Sequence, residues 1–171
     1  AIAADMLRLP SETWLAELAG HAGGIDPQAI HAAREALRRL LAETFAPQWQ
    51  ALFEEQRVTS PYAPTGEQVG RRALAGIALD YFATAAGAGI DAVERVYRDS
   101  DNLTERLVAL RCLIREADEA VFEAALADFH ARFKHETLAL NHWLQLQAET
   151  SRGDSIARVR GLMAHPAYDR R

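Results

Sequence analysis

The sequence is poor in most of what would announce a chemistry. Its 171 residues hold one cysteine, Cys112. That excludes an intrachain disulfide framework and a cysteine-rich metal knuckle, and a reducing compartment is the expectation. No apolar run approaches the roughly 20 residues that a bilayer-spanning helix needs. The opening "AIAADMLRLPSE" is interrupted by Asp5 and Arg8 and makes a poor signal peptide. Positive charge is not in excess either: the formal net charge is -5. No broad basic surface is left for phosphate backbones, which argues against nucleic acid as a partner. A cytoplasmic protein without membrane association is expected. Strand-like alternation of useful length is also missing. What remains is ordinary globular composition, 49% hydrophobic and 25% charged, in a length that suits one domain or two small ones.

Helical signals fill that length. Ser11 is placed to cap a short helix whose acids Glu12 and Glu17 sit towards its positive end. Asp26 and Pro27 supply an N-cap and a first helical residue. Ile30, Ala33, Leu37, Leu40, Leu41 and Phe45 then keep a helical stripe, with Glu35–Arg39 and Arg39–Glu43 in reach on the outer face. Pro47 kinks or ends that helix before Trp49, Leu52 and Phe53. "VTSPYAPTG" is the longest linker, and a subdivision at residues 58–65 is possible on its composition. Thr65 and Asn102 read as caps, Asp118 as a helix start, and "AAGAGID" as a break. The helix of Leu103, Leu107, Leu110 and Ile114 also carries Val108 and Cys112 off its stripe, which predicts a central position. Later helices carry Phe122, Leu126, Phe129 and Phe133, then Leu140, Trp143 and Leu144, then Ile156, Val159, Leu162 and Met163. The fold expected is all-α, an irregular solenoid or bundle of about eight helices built from hairpins, with HEAT/ARM-like character. No fixed repeat period is visible.

The stretch "KHETLALNHW", Lys134 to Trp143, imitates a zinc-peptidase helix without being one. Such a helix needs its second histidine four residues after the first, so that both imidazoles reach one ion. That place holds Ala139, and His142 stands seven residues from His135, roughly 10 Å along a helix axis. His130 and His135 differ by about 140° around a helix and read as solvated. His165, before Pro166, reads as a helix-end residue. There is no nucleophile elbow and no phosphate loop, and Cys112 in an apolar helix reads as an inert thiol. Trp49, Phe53, Phe122, Phe129, Phe133 and Trp143 read as core. The arginine pairs in "EALRRL" and "RRALAG" read as solvated faces with local ion pairs. No catalytic, cofactor-binding or metal-ligating residue is assigned. An enzyme assembled in space around His130, His135 and Glu136 would need a pocket converging on them.

Several strings, in order, resemble one family. "LPSE" (Leu9–Glu12) and "IDPQAIHAAREAL" (Ile25–Leu37) are similar to the opening of the C-terminal helical domain of bacterial aminopeptidase N, in the M1 zinc metallopeptidase family. "YAPTGEQVGRRAL" (Tyr62–Leu74) resembles its Y-S-P-T-x-x-x-I-G-R-R-A-L segment, and "NLTERLVAL" (Asn102–Leu110) its N-M-T-D-x-x-A-A-L signature. "NHWLQLQA" (Asn141–Ala148) resembles D-K-W-F-x-L-Q-A, with Asn141-His142 in place of Asp-Lys. "RVRGLMAHPAYD" (Arg158–Asp169) resembles R-V-R-x-L-x-x-H-P-A-F-D.

The resemblance implies that residues 1–171 are the first part of that domain. The start at Ala1 and the end at Arg170-Arg171 read as cuts, in keeping with a piece of a longer chain. It implies a parent enzyme that removes N-terminal residues from peptides. The parent's zinc, and the groups gripping the substrate amine, would belong to an absent upstream domain. This domain would enclose the active-site cavity and limit peptide access, with the catalytic domain of the same polypeptide as its partner and peptides as indirect ones. Severed from that setting, the chain is expected to self-associate through an uncovered apolar face. A stand-alone helical-repeat module that binds another protein is the alternative.

Overall fold

A computed structural model describes residues 2–20, 24–85, 89–150, 152–153 and 155–168. Among them are ten α-helices and no strand: α1 (Ile2–Met6), α2 (Glu12–Gly20), α3 (Pro27–Thr44), α4 (Ala46–Gln56), α5 (Gly66–Thr84), α6 (Ile90–Asp99), α7 (Leu103–Glu116), α8 (Glu119–Phe133), α9 (Thr137–Ala148) and α10 (Ser155–Met163). The all-helical expectation holds. Residues 86–88 of "AAGAGID" and the 169–171 end lie outside the described residues, as do residues 21–23. The chain forms two compact units, Ala1–Gly89 and Ile90–Arg171.

Most helix starts are local chemistry. The Ser11 hydroxyl accepts from Trp14 N at 3.2 Å. Asp26 accepts from Gln28 N and Ala29 N, both at 3.0 Å, ahead of Pro27. Thr65 accepts from Gln68 N at 3.3 Å. Asn102 accepts from Glu105 N at 3.0 Å and returns a side-chain bond to the Glu105 carboxylate at 2.7 Å. Each satisfies a backbone N–H that the helix itself leaves unpaired. Pro47 lies in the first turn of α4, where its missing N–H costs nothing. α3 has accordingly ended at Thr44.

In the first unit, α5 packs on α1, α3 and α4. Its C-terminal half is buried on several sides, through Ile77, Ala78, Leu79, Tyr81 and Phe82, whereas Val69, near its start, is exposed. Trp49 stacks on Tyr81 at 4.4 Å. The 58–65 stretch is a tied loop inside this unit. Gln68 receives Ala63 N at 2.8 Å and donates to Ser60 Oγ and Pro61 O, and Arg71 donates to Glu55 O and Arg57 O. The boundary between the two units is at Gly89–Ile90. A Cβ at Gly89 would stand 2.7 Å from Ala83 N, so only glycine fits there.

In the second unit, α7 packs on α6, α8 and α9. Ala109, Leu110, Cys112, Leu113 and Ile114 are all buried, which is the central position its two-faced pattern predicts. Phe122, Leu126 and Phe129 form the buried face of α8, and burying a side chain such as Phe129 contributes about 1.5–3 kcal/mol. α10 differs from these helices: none of its residues is buried.

Candidate functional site

The zinc-like stretch does not converge. His135 lies exposed in the turn after α8, and Glu136 is the N-cap position of α9, its carbonyl accepting from Leu140 N at 2.9 Å. No group of three or more His, Cys, Asp or Glu side chains among the described residues could hold a metal ion.

His130 corrects the solvated reading. It packs against Trp143 of α9, with ring centres 4.7 Å apart, and against His165 beyond α10, at 5.2 Å. Trp143 and His165 close the triangle at 5.3 Å. The Trp143 indole N–H donates to Leu126 O at 2.9 Å, which fixes the ring. His165 Nδ1 accepts from Ala167 N at 3.2 Å, so the histidine also folds its own turn. The two imidazoles meet edge to face, an arrangement that does not aim two lone pairs at one ion. Desolvation, then His165 and Lys134, hold the His130 pKa below the ordinary 6.5.

A second cluster sits in a concavity of about 460 Å³ lined by α6, α7 and α8. The buried Tyr97 hydroxyl donates to Asp128 Oδ2 and lies equally close to Ala125 O, each at 2.9 Å. Arg132 Nε donates to Asp128 Oδ1 at 2.9 Å. Burial first, then the bond to Asp128, push the Tyr97 phenol well above its usual pKa. Tyr97 is thereby a neutral donor and Asp128 a paired acceptor, a brace between α6 and α8 rather than an acid–base couple. In the first unit, Met6, Leu7, Leu9, Phe45, Leu52 and the Trp49–Tyr81 stack line an apolar groove of about 540 Å³. The Tyr81 hydroxyl holds its edge by donating to Leu7 O at 3.1 Å. Burial, then Asp80, raise the Tyr81 pKa.

The arginine pairs also need correction. Arg38 and Arg72 are buried, at 4% and 5% exposure, as is Arg106. Arg38 pairs with Glu35 at 2.8 Å and donates to Thr84 Oγ1. α3 therefore turns an arginine inward while Leu37 and Leu40 stay exposed. Arg72 donates to Gln68 and Ala63 O with its guanidinium 4.7 Å from the Tyr62 ring. Arg106 donates to Ser100 O and lies 5.9 Å from the Tyr97 and Phe133 ring centres. Its Nη1 has no hydrogen-bond partner among the described residues, and the two rings offset part of that cost. Hydropathy patterns place arginine outside by rule, so no local signal marks these residues. Likewise, 35 positions separate His130 from His165 and 31 separate Tyr97 from Asp128.

Comparison with known proteins agrees with the resemblance read from the sequence. The chain is 30% identical to aminopeptidase N of Escherichia coli over 169 residues, which is 98% of the chain and 19% of that protein. It is 27% identical to aminopeptidase N of Haemophilus influenzae over 168 residues, again 98% and 19%. The chain thus spans about a fifth of the length of the curated relatives it matches. A crystal structure of Legionella pneumophila aminopeptidase A in complex with aspartic acid shares the fold, with a TM-score of 0.79 at 23% identity over 97% of this chain and 20% of that one. The family whose model matches residues 1–171 is described as "Domain of unknown function (DUF3458_C) ARM repeats", in keeping with the helical-repeat architecture, and the chain belongs to it.

Proposed function

We propose that this chain is a non-catalytic helical domain of a zinc aminopeptidase that removes N-terminal residues from peptides. Its work is architectural: it packs on the catalytic domain of the same cytoplasmic polypeptide, encloses the active-site cavity and limits which peptides enter. Zinc is held by a different domain. The observation that carries this reading is the end-to-end match of 98% of the chain to 19% of aminopeptidase N. The neutral Tyr97, the paired Asp128 and the divergent histidines agree with a bracing role. The test is hydrolysis of chromogenic aminoacyl anilides by the purified chain with added zinc. Turnover no greater than in buffer plus zinc is expected. Zinc-dependent turnover that survives repurification would overturn the reading and direct attention to His130, His135 and Glu136.

A further inference from the structure

α10 is the least anchored long element of the second unit. None of its residues is buried, and Ile156 and Met163 are exposed at 64% and 41%. Besides its packing along α9, two sets of side-chain contacts tie it to α8 and α9. Near its start Arg158 bonds to Glu123 of α8 and to Gln147 of α9. Past its end, the turn carrying His165 rests on His130 of α8 and Trp143 of α9. The second anchor is built from two imidazoles with ring centres 5.2 Å apart. The charges that lower the His130 pKa, after desolvation, are His165 from the turn after α10 and Lys134 at the C-cap of α8. α9 contributes the neutral Trp143 ring at this contact.

We propose that the His130–Trp143–His165 cluster is an acid-sensitive latch, closed when His130 is neutral, which releases α10 and the turn after it when His130 takes up a proton. A proton on His130 puts charge into this desolvated ring contact, beside Lys134 at the helix end. An apolar helix-end contact would hold at any pH; a histidine pair holds only on one side of the histidine range. The lowered His130 pKa agrees in sign. The closed form binds the proton less well than the open one, so closure is fully favoured above the ordinary 6.5 and is lost as pH falls through that value towards the closed-form pKa. The Arg158 contacts contain no imidazole, so release is confined to the C-terminal end of the helix and its turn. The latch is a property of this chain and stands whether or not the aminopeptidase reading does.

The test is amide hydrogen exchange of the intact chain from pH 7.5 to 5.5, corrected for intrinsic rates, alongside NMR titration of the histidine ring protons. Protection in the C-terminal half of α10 is expected to fall by roughly threefold or more, while α7 amides are unchanged and His130 titrates below a free histidine. In His130→Gln and His165→Gln the protection should lose its pH dependence. The proposal is overturned if wild-type α10 protection is flat with pH, or if His130 titrates at or above the free value. PH dependence that persists in both variants would overturn it equally.

Discussion

Of the 19 lysine and arginine residues only Lys134 is a lysine, and the structure shows what that choice serves. Arg152 donates to Ile114 O at 3.2 Å and to Ala117 O, while its guanidinium lies 4.8 Å from the Phe122 ring centre. Those carbonyls belong to the last turn and cap of α7, where the helix leaves acceptors without partners and carries partial negative charge. Both bonds come from one nitrogen, Nη1, so an ammonium could make them; what the guanidinium adds is a flat face laid against the Phe122 ring while it bonds the carbonyls. Arg152→Lys is expected to lower stability by about 1–2 kcal/mol, read from the urea midpoint. Arg111→Lys, at an exposed position of α7, is expected to stay within about 0.5 kcal/mol. Equal midpoints for the two variants would show that charge alone, and not the planar group on Phe122, is what α7 needs.

At the scale of the helix, what the sequence made legible was whatever is settled within four residues. Ser11, Asp26, Thr65 and Asn102 cap helices as their types and spacing predict. Asn102 also allows a sharper test. Its amide bonds both Glu105 N and the Glu105 carboxylate, so Asn102→Ala should cost about 1 kcal/mol. Aspartate is ordinarily as good a cap as asparagine. Here Asn102→Asp loses the donated bond and sets a carboxylate against Glu105, so it should fall between wild type and the alanine variant in denaturant midpoint. Parity with wild type would mean that the bond to the Glu105 side chain adds nothing. Illegible features were decided by contacts far along the chain. The inward face of α3 is set by Arg38 meeting Thr84, 46 residues away, so the stripe through Leu37 and Leu40 pointed the wrong way. The helix α1 is a five-residue piece with a single buried residue, Ala4, too short for periodicity to declare it. The histidine cluster joins positions that no spacing rule connects, whereas the absence of convergence in "KHETLALNHW" follows from helix geometry alone.

For the molecule as a whole, the exposed apolar surface is unevenly shared. Of the fourteen large hydrophobic residues exposed among those described, ten lie in the first unit, from Ile2 and Met6 to Tyr62 and Val69. Met6 is exposed at 81% and Phe45 at 42%, and both line the apolar groove floored by Trp49 and Tyr81. Isolated exposed side chains need no explanation, but a groove rimmed by them marks a surface that something covers. On the proposed reading, the remainder of a polypeptide some five times longer covers it; in the isolated chain only another copy can. Sedimentation velocity over a wide concentration series should therefore show a weight-average coefficient that rises with concentration. The rise should persist in high salt, because apolar contact rather than ion pairing drives it. Met6→Lys and Phe45→Lys place charge in the groove at positions that are already open to solvent, so they should suppress the rise while leaving helix content unchanged. A chain that stays monomeric at every concentration would remove the groove as a docking face. Association unaffected by both variants would move the contact elsewhere on the surface.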